Sequence, residues 1–251
     1  MAVSPAISPA ISLAIEGLDA GYGAVKALRG VTLDVASGET VALLGTNGNG
    51  KSTLMKCIMG LVRPQGGRMS LVVDGRSHDL TRMSAEDIVD LGVALVPEGR
   101  RLFPKLTVKE NLMLGAFRKA ARSAIGRNLA HAFETFPVLK EREKQLAGTM
   151  SGGQQQMLAI ARALMSSPRL LLVDEPSVGL SPLMVSQTIS KIGELKRSFG
   201  LTVLMAEQNF NQAIRIADRG YVIVHGKIEY QGGSREDLAN NELIHKLYMG
   251  L

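Results

Sequence analysis

Apolar and polar side chains alternate over residues 13–18, 31–35 and 69–73, a period-two pattern that predicts short strands forming an antiparallel lobe. Residues 39–44, Glu-Thr-Val-Ala-Leu-Leu, read as a buried strand, and the run Leu170-Leu171-Leu172-Val173 is apolar throughout, as suits a strand covered on both faces in a parallel sheet. Residues 203–206 and 221–224 add two more strands, with a helix between the run at 170 and the first of them. From about 80 to 166 the pattern turns helical, broken by Pro104 and Pro137. Within it Met157, Ile160, Ala161, Leu164 and Met165 share one face of a helix for which Ser151 is a good N-cap. The chain therefore reads as one large α/β domain, or one carrying a helical insertion.

Chemistry collects at the strand ends. Gly45-Thr46-Asn47-Gly48-Asn49-Gly50-Lys51-Ser52 stands between the strand ending at Leu44 and a helix, the setting of a phosphate-binding loop. Its glycines permit positive φ and close backbone approach, so successive N–H groups and the helix N-terminus converge on phosphate oxygens. Lys51 neutralises β- and γ-phosphates, and the Ser52 hydroxyl is a suitable hard ligand for Mg²⁺. Asn47, Gly48, Asn49, Gly50, Lys51, Ser52 and Thr53 are the candidate ATP contacts. The second apolar run ends in Asp174-Glu175-Pro176, where open α/β sheets place ligands. There Asp174 is expected to hold Mg²⁺ and Glu175 to orient and deprotonate an attacking water.

Between these sites lies Met150-Ser151-Gly152-Gly153-Gln154, a second anion-favouring helix entrance. With all three motifs in this order, the chain resembles the ATP-binding cassette (ABC) ATPases over nearly its whole length. The resemblance implies an α/β fold with a RecA-like core, an antiparallel β lobe and a helical subdomain at about 80–166, all within residues 13–251. It also implies that Ser151, Gly152, Gly153 and Gln154 complete the ATP site of the opposite subunit in a head-to-tail dimer. Tyr22, in Gly21-Tyr22-Gly23, falls where the family stacks an aromatic ring on adenine, and residues 177–180 match the loop that passes signals between subunits.

Two positions depart from the general pattern. Glu98 stands where most relatives carry a glutamine, and Gln208 where most carry the switch histidine. Both resemble the LivF-like ATP-binding subunits of branched-chain amino acid importers, as do the contexts Gly148-Thr149-Met150 and Ala217-Asp218-Arg219-Gly220-Tyr221. Gln208 offers an amide donor to a γ-phosphate but never becomes cationic. A carboxylate at 98 suits a metal and repels bare phosphate, so Glu98 is expected to face Mg²⁺, its water or Arg100.

The subfamily implies ATP hydrolysis at the cytoplasmic face of the inner membrane, where the chain is peripheral and lacks its own span. Its implied partners are a second, different ATPase (a homodimer being possible), two membrane-spanning permease subunits and, indirectly, an extracytoplasmic solute-binding protein. Import of urea, short amides or another small polar solute uses the same motifs, and a non-transport ABC ATPase is the remaining alternative. A phosphate-loop GTPase is disfavoured, since no Asn-Lys-x-Asp motif occurs.

Composition adds limits. The apolar fraction is 45% and no stretch approaches the roughly 18 apolar residues of a membrane span. Residues 1–12 contain the repeat Ser4-Pro5-Ala6-Ile7/Ser8-Pro9-Ala10-Ile11 and are expected to form a flexible extension, without the basic start and long apolar centre of a signal peptide. Cys57 is alone, which excludes an internal disulfide, and His78, His131, His225 and His245 show no metal-ligand spacing. Of the net charge of +6, residues 100–146 carry eleven basic and four acidic side chains, a basic face attracted to an anionic leaflet or simply solvated. Nucleic acid is disfavoured as a partner, because the chain is 4% aromatic with no Trp.

Overall fold

A computed structural model describes residues 10–242 and 244. In chain order the strands are β1 (Ile11–Tyr22), β2 (Val25–Val35), β3 (Thr40–Leu44), β4 (Gly66–Val73), β5 (Arg76–Asp79), β6 (Val93–Val96), β7 (Leu170–Asp174), β8 (Thr202–Glu207), β9 (Arg219–Val224) and β10 (Lys227–Gly232). The helices are α1 (Lys51–Ile58), α2 (Ala85–Asp90), α3 (Val108–Gly115), α4 (Lys119–Arg122), α5 (Ile125–Thr135), α6 (Pro137–Glu141), α7 (Gly152–Leu164), α8 (Pro182–Phe199), α9 (Phe210–Ala213) and α10 (Arg235–Ala239).

An antiparallel sheet of order β2-β1-β4-β5 forms the expected lobe. The second sheet runs β10-β9-β3-β8-β7-β6, parallel from β9 to β6, with β10 added antiparallel at one edge. Every residue of β3, β7 and β8 is buried, which is why the middles of these strands are continuously apolar and polar residues stand only at their ends. Their side chains divide by strand period. Val41, Leu43, Leu170, Leu172, Leu204 and Ala206 face a core shared with α1 and the antiparallel lobe. Ala42, Leu44, Leu171, Val173, Val203 and Met205 face the opposite core, built with α7, α8 and the helical region. Cys57 lies within the first core, where burial pushes its thiol up to about 11 and leaves it unreactive.

The structure changes two sequence expectations. Residues 80–166 are not wholly helical, since β6 lies among them and pairs with β7 in the main sheet. At four residues, between Gly92 and Pro97, Val-Ala-Leu-Val is too short for its periodicity to separate strand from buried helix. The extension expected at 1–12 overlaps β1. Ile11 and Ser12 already pair with Val73 and Val72, and Ile11 is buried, whereas residues 1–9 lie outside the described residues.

The two sheets are locked together by Arg219. Its guanidinium donates to Glu39 Oε1 at 2.8 Å and Oε2 at 3.0 Å, to Asp34 Oδ2 at 2.6 Å, and to the Tyr221 hydroxyl at 2.7 Å. Tyr221 in turn donates to Asp34 Oδ1 at 2.8 Å. The end of β2 is thereby fixed to β9, and the hydrogen-bonded, paired guanidinium is held above its ordinary pKa despite the opposing cost of burial. Arg219→Met, which keeps the stem, is expected to lower unfolding free energy by about 2 kcal/mol, with Tyr221→Phe costing about 1 kcal/mol. Denaturant titration checks both, and a loss under about 0.5 kcal/mol for Arg219→Met would deny the lock.

Candidate ATP site

The loop joining β3 to α1 is walled by neighbouring backbone. A Cβ on Gly45 would lie 2.6 Å from the Ile223 carbonyl oxygen. At Gly50, where φ is +100°, a Cβ would lie 2.7 Å from that of Ala27. Both positions demand glycine on steric grounds before any ligand is considered. Asn49 braces the loop from within. Its amide donates to Thr46 Oγ1 at 2.9 Å, and its Oδ1 accepts the His225 N–H of the β9–β10 turn at 2.9 Å. The Asn49 side chain is therefore committed to the loop's own shape, while Asn47 and Gly48 are exposed at its tip.

Lys51 opens α1 almost wholly buried, and its ammonium uses all three donors: Gly45 O at 2.7 Å, Thr46 O at 3.0 Å and Glu175 Oε1 at 2.9 Å. Glu175 follows β7 with φ +46°, its N–H donating to Ala206 O of β8 at 2.9 Å. Ser52 Oγ donates to Asp174 Oδ1 at 3.2 Å. Asp174 is pushed up to about 6, above the ordinary 3.8, chiefly by burial and further by Glu175 and Glu98, against the Ser52 hydrogen bond and Lys51. The structure thus brings Lys51, Ser52, Asp174 and Glu175 into one bonded set, with Glu98 close enough to act on Asp174.

Glu98 makes no ion pair with Arg100 among the described residues. The Arg100 guanidinium goes instead to Gln155 Oε1 at 3.3 Å and Gly179 O at 3.2 Å. A hydroxyl, a buried carboxylate short of positive charge and a second carboxylate nearby form a hard-oxygen set that fits Mg²⁺, which takes few protein ligands and fills its shell with water and phosphate. Gln208 is exposed directly after β8, and Thr53 is buried on α1. Tyr22 is half exposed at the β1–β2 turn, with Lys56 Nζ 6.0 Å from its ring centroid.

Ser151 is not hydrogen-bonded to the phosphate loop among the described residues. It caps α7 as the sequence predicts, in a reciprocal pair with Gln154 that leaves the exposed Ser151 facing outward. Gly152 and Gly153 sit tightly against Arg100 and Met184. Sequence reasoning assigned no part to Glu207. This carboxylate, wholly buried at the end of β8, accepts from Ser177 N, Ser177 Oγ and Asn209 N. The available signal was an acidic residue closing an apolar run.

Phosphate loop, acidic strand end and capped Ser-Gly-Gly helix on a sheet of this order define an ATP-binding cassette ATPase. A family model described as ABC transporter matches residues 28–178, and the chain belongs to this family of ATP-hydrolysing subunits. It is 43% identical to the high-affinity branched-chain amino acid transport ATP-binding protein BraG of Pseudomonas aeruginosa, covering 95% of this chain and 99% of that one. It is 35% identical to the probable branched-chain amino acid transport ATP-binding protein LivF of Archaeoglobus fulgidus, over 93% and 97% of the two chains. Among solved structures, the ADP conformation of MJ1267, an ATP-binding cassette of an ABC transporter, superposes with TM-score 0.80 at 27% identity, covering 96% of this chain and 99% of that one.

Asp174 binds its proton more readily folded, at about 6, than unfolded, near 3.8. The protonated form therefore stabilises the fold at acid pH, and that contribution is lost as pH rises from about 4 to 6. Asp174→Asn is expected to be more stable than wild type by about 2 kcal/mol at pH 7 and to lack that decline, while losing ATP turnover. Thermal melting across pH 4–8 measures it. A variant no more stable than wild type at pH 7 would mean that the buried carboxylate carries no such cost.

Proposed function

We propose that this chain is the ATP-hydrolysing subunit that energises a membrane importer of branched-chain amino acids. The observation that carries the reading is the near end-to-end likeness to BraG, supported by Glu98 and Gln208 in place of the commoner glutamine and histidine. In this mechanism the N–H groups around residues 47–53 and the Lys51 ammonium bind the triphosphate, and Tyr22 stacks on adenine. Ser52 and Asp174, with Glu98 alongside, would hold Mg²⁺, which when bound neutralises phosphate charge. Glu175 orients the attacking water and takes its proton, and Gln208 donates its amide N–H to the γ-phosphate. Ser151, Gly152, Gly153 and Gln154 serve the partner's site, so neither half-site is complete alone. ATP then closes the dimer and hydrolysis releases it, converting binding free energy into movement.

The same reading supplies a second ATPase subunit, two permease chains and a solute-binding protein, and a place at the cytoplasmic face of the membrane. No helix among the described residues is long and apolar enough to cross a bilayer. A surface suited to a permease lies around α3, where Phe103, Met113, Leu114, Phe117 and Leu146 are exposed. The segments that carry them are tied to α3 by the Phe103–Asn111 hydrogen bond and the Thr107–Leu146 bridge.

Purification from native membranes in mild detergent tests the proposal. It should recover two permease chains and a second ATPase in stoichiometric amount. Leu114→Asp combined with Phe117→Asp should lose those chains while the variant's own ATP binding stays within about twofold of wild type. Recovery with soluble partners alone, and absence from the membrane fraction, would overturn the transport role.

A further inference from the structure

Residues 177–180 leave the acidic strand end and lead toward α8. At one end, Glu207 accepts from Ser177 N at 3.1 Å through Oε1, and from Ser177 Oγ at 2.9 Å and Asn209 N at 3.1 Å through Oε2. At the other, Arg100 donates to Gly179 O at 3.2 Å and to Gln155 Oε1 of α7 at 3.3 Å. Between the two grips Val178 is 43% exposed, so the loop is held at both ends and presents its middle outward.

Each grip is itself anchored in the ATP site. The Glu207 carbonyl accepts Gly45 N of the phosphate loop at 3.4 Å, and Gln208 is its chain neighbour. Arg100 lies two residues from Glu98, in a turn where Arg100 and Arg101 both have positive φ (66° and 46°). Arg162 of α7 holds that turn by donating to Arg100 O at 3.1 Å and Arg101 O at 2.8 Å. The carboxylate and the guanidinium that clamp the loop thus stand close in the chain to Gln208 and Glu98.

We infer that Glu207 and Arg100 are positioning residues for ATP hydrolysis that together set the 177–180 loop beside the acidic strand end. The inference rests on the ATPase activity and is independent of the transported solute. The chemistry of Glu207 is specific to a carboxylate. Its two oxygens meet backbone donors on both sides, Ser177 N–H on one and Asn209 N–H on the other, so the amide of glutamine sets an NH₂ against an N–H in either orientation. Arg100 needs its fork, since a lysine ammonium is a single point and does not span Gln155 and Gly179 in the same way.

The test is steady-state ATP hydrolysis by the full chain, together with the ATPase subunit that co-purifies with it, in Arg100→Ala, Glu207→Gln and the double variant. Each single change should lower kcat about tenfold with KM for ATP within about twofold, because neither side chain touches the phosphate loop's own donors. The double variant should fall no further than the worse single, because both act on one loop. Arg100→Ala should melt within about 2 °C of wild type, which separates positioning from loss of fold and keeps the inference testable should Glu207→Gln fold poorly. Values of kcat within twofold of wild type for Arg100→Ala, losses that only track melting temperature, or a double effect equal to the product of the singles would each overturn it.

Discussion

The buried pair between Lys51 and Glu175 organises the molecule. Both side chains are almost wholly removed from water, 2.9 Å apart, and such a pair is tolerable only when the remaining donors are satisfied. Lys51 meets that requirement with the carbonyls of Gly45 and Thr46, which curls the phosphate loop over the ammonium. Glu175 meets it by standing at the carboxyl end of β7, one strand removed from β3 across β8. The strand order β3-β8-β7 is therefore a condition of the site. The glycines, the Asn49 brace and the positive φ of Glu175 all serve to bring these two charges together.

Around that one lysine stand more negative charges than it can balance. Asp174 is held above its usual range by burial, with Glu175 and Glu98 adding to the effect, and Glu207 is likewise raised by burial with Glu175 adding to it. A bare triphosphate meets repulsion here, whereas a nucleotide carrying a divalent cation meets complementary charge. Triphosphate bound by Lys51, as proposed, would replace Glu175 as its counter-charge and leave the carboxylate available to water. The same substitution of partners would make an ATP-binding event felt at the end of β7, where Glu175 leads into residues 177–180.

Much of this was legible in the sequence because the informative features are local. The phosphate loop, the apolar run ending in Asp174-Glu175 and the Ser151 cap each lie within about ten residues, and their spacing carries their geometry. What escaped reading depends on contacts between distant positions. Nothing near Asn49 announces that its side chain serves His225, or near Arg219 that its partners are Asp34 and Glu39. The short β6 was hidden because four apolar residues have no decisive period. Arg100 stands two residues from Glu98 and so reads as its partner in sequence, whereas the fold delivers it to Gly179.

The central claim, that Lys51 and Glu175 neutralise each other until nucleotide separates them, is tested by the melting temperature of Glu175→Gln with and without MgATP. The account predicts a variant that melts well below wild type without nucleotide, since Lys51 loses its buried counter-charge at a cost of about 3 kcal/mol. Saturating MgATP should then raise its melting temperature more than it raises wild type's and close the gap, with hydrolysis lost. Equal melting temperatures without nucleotide, or a smaller ATP-dependent rise in the variant, would contradict it.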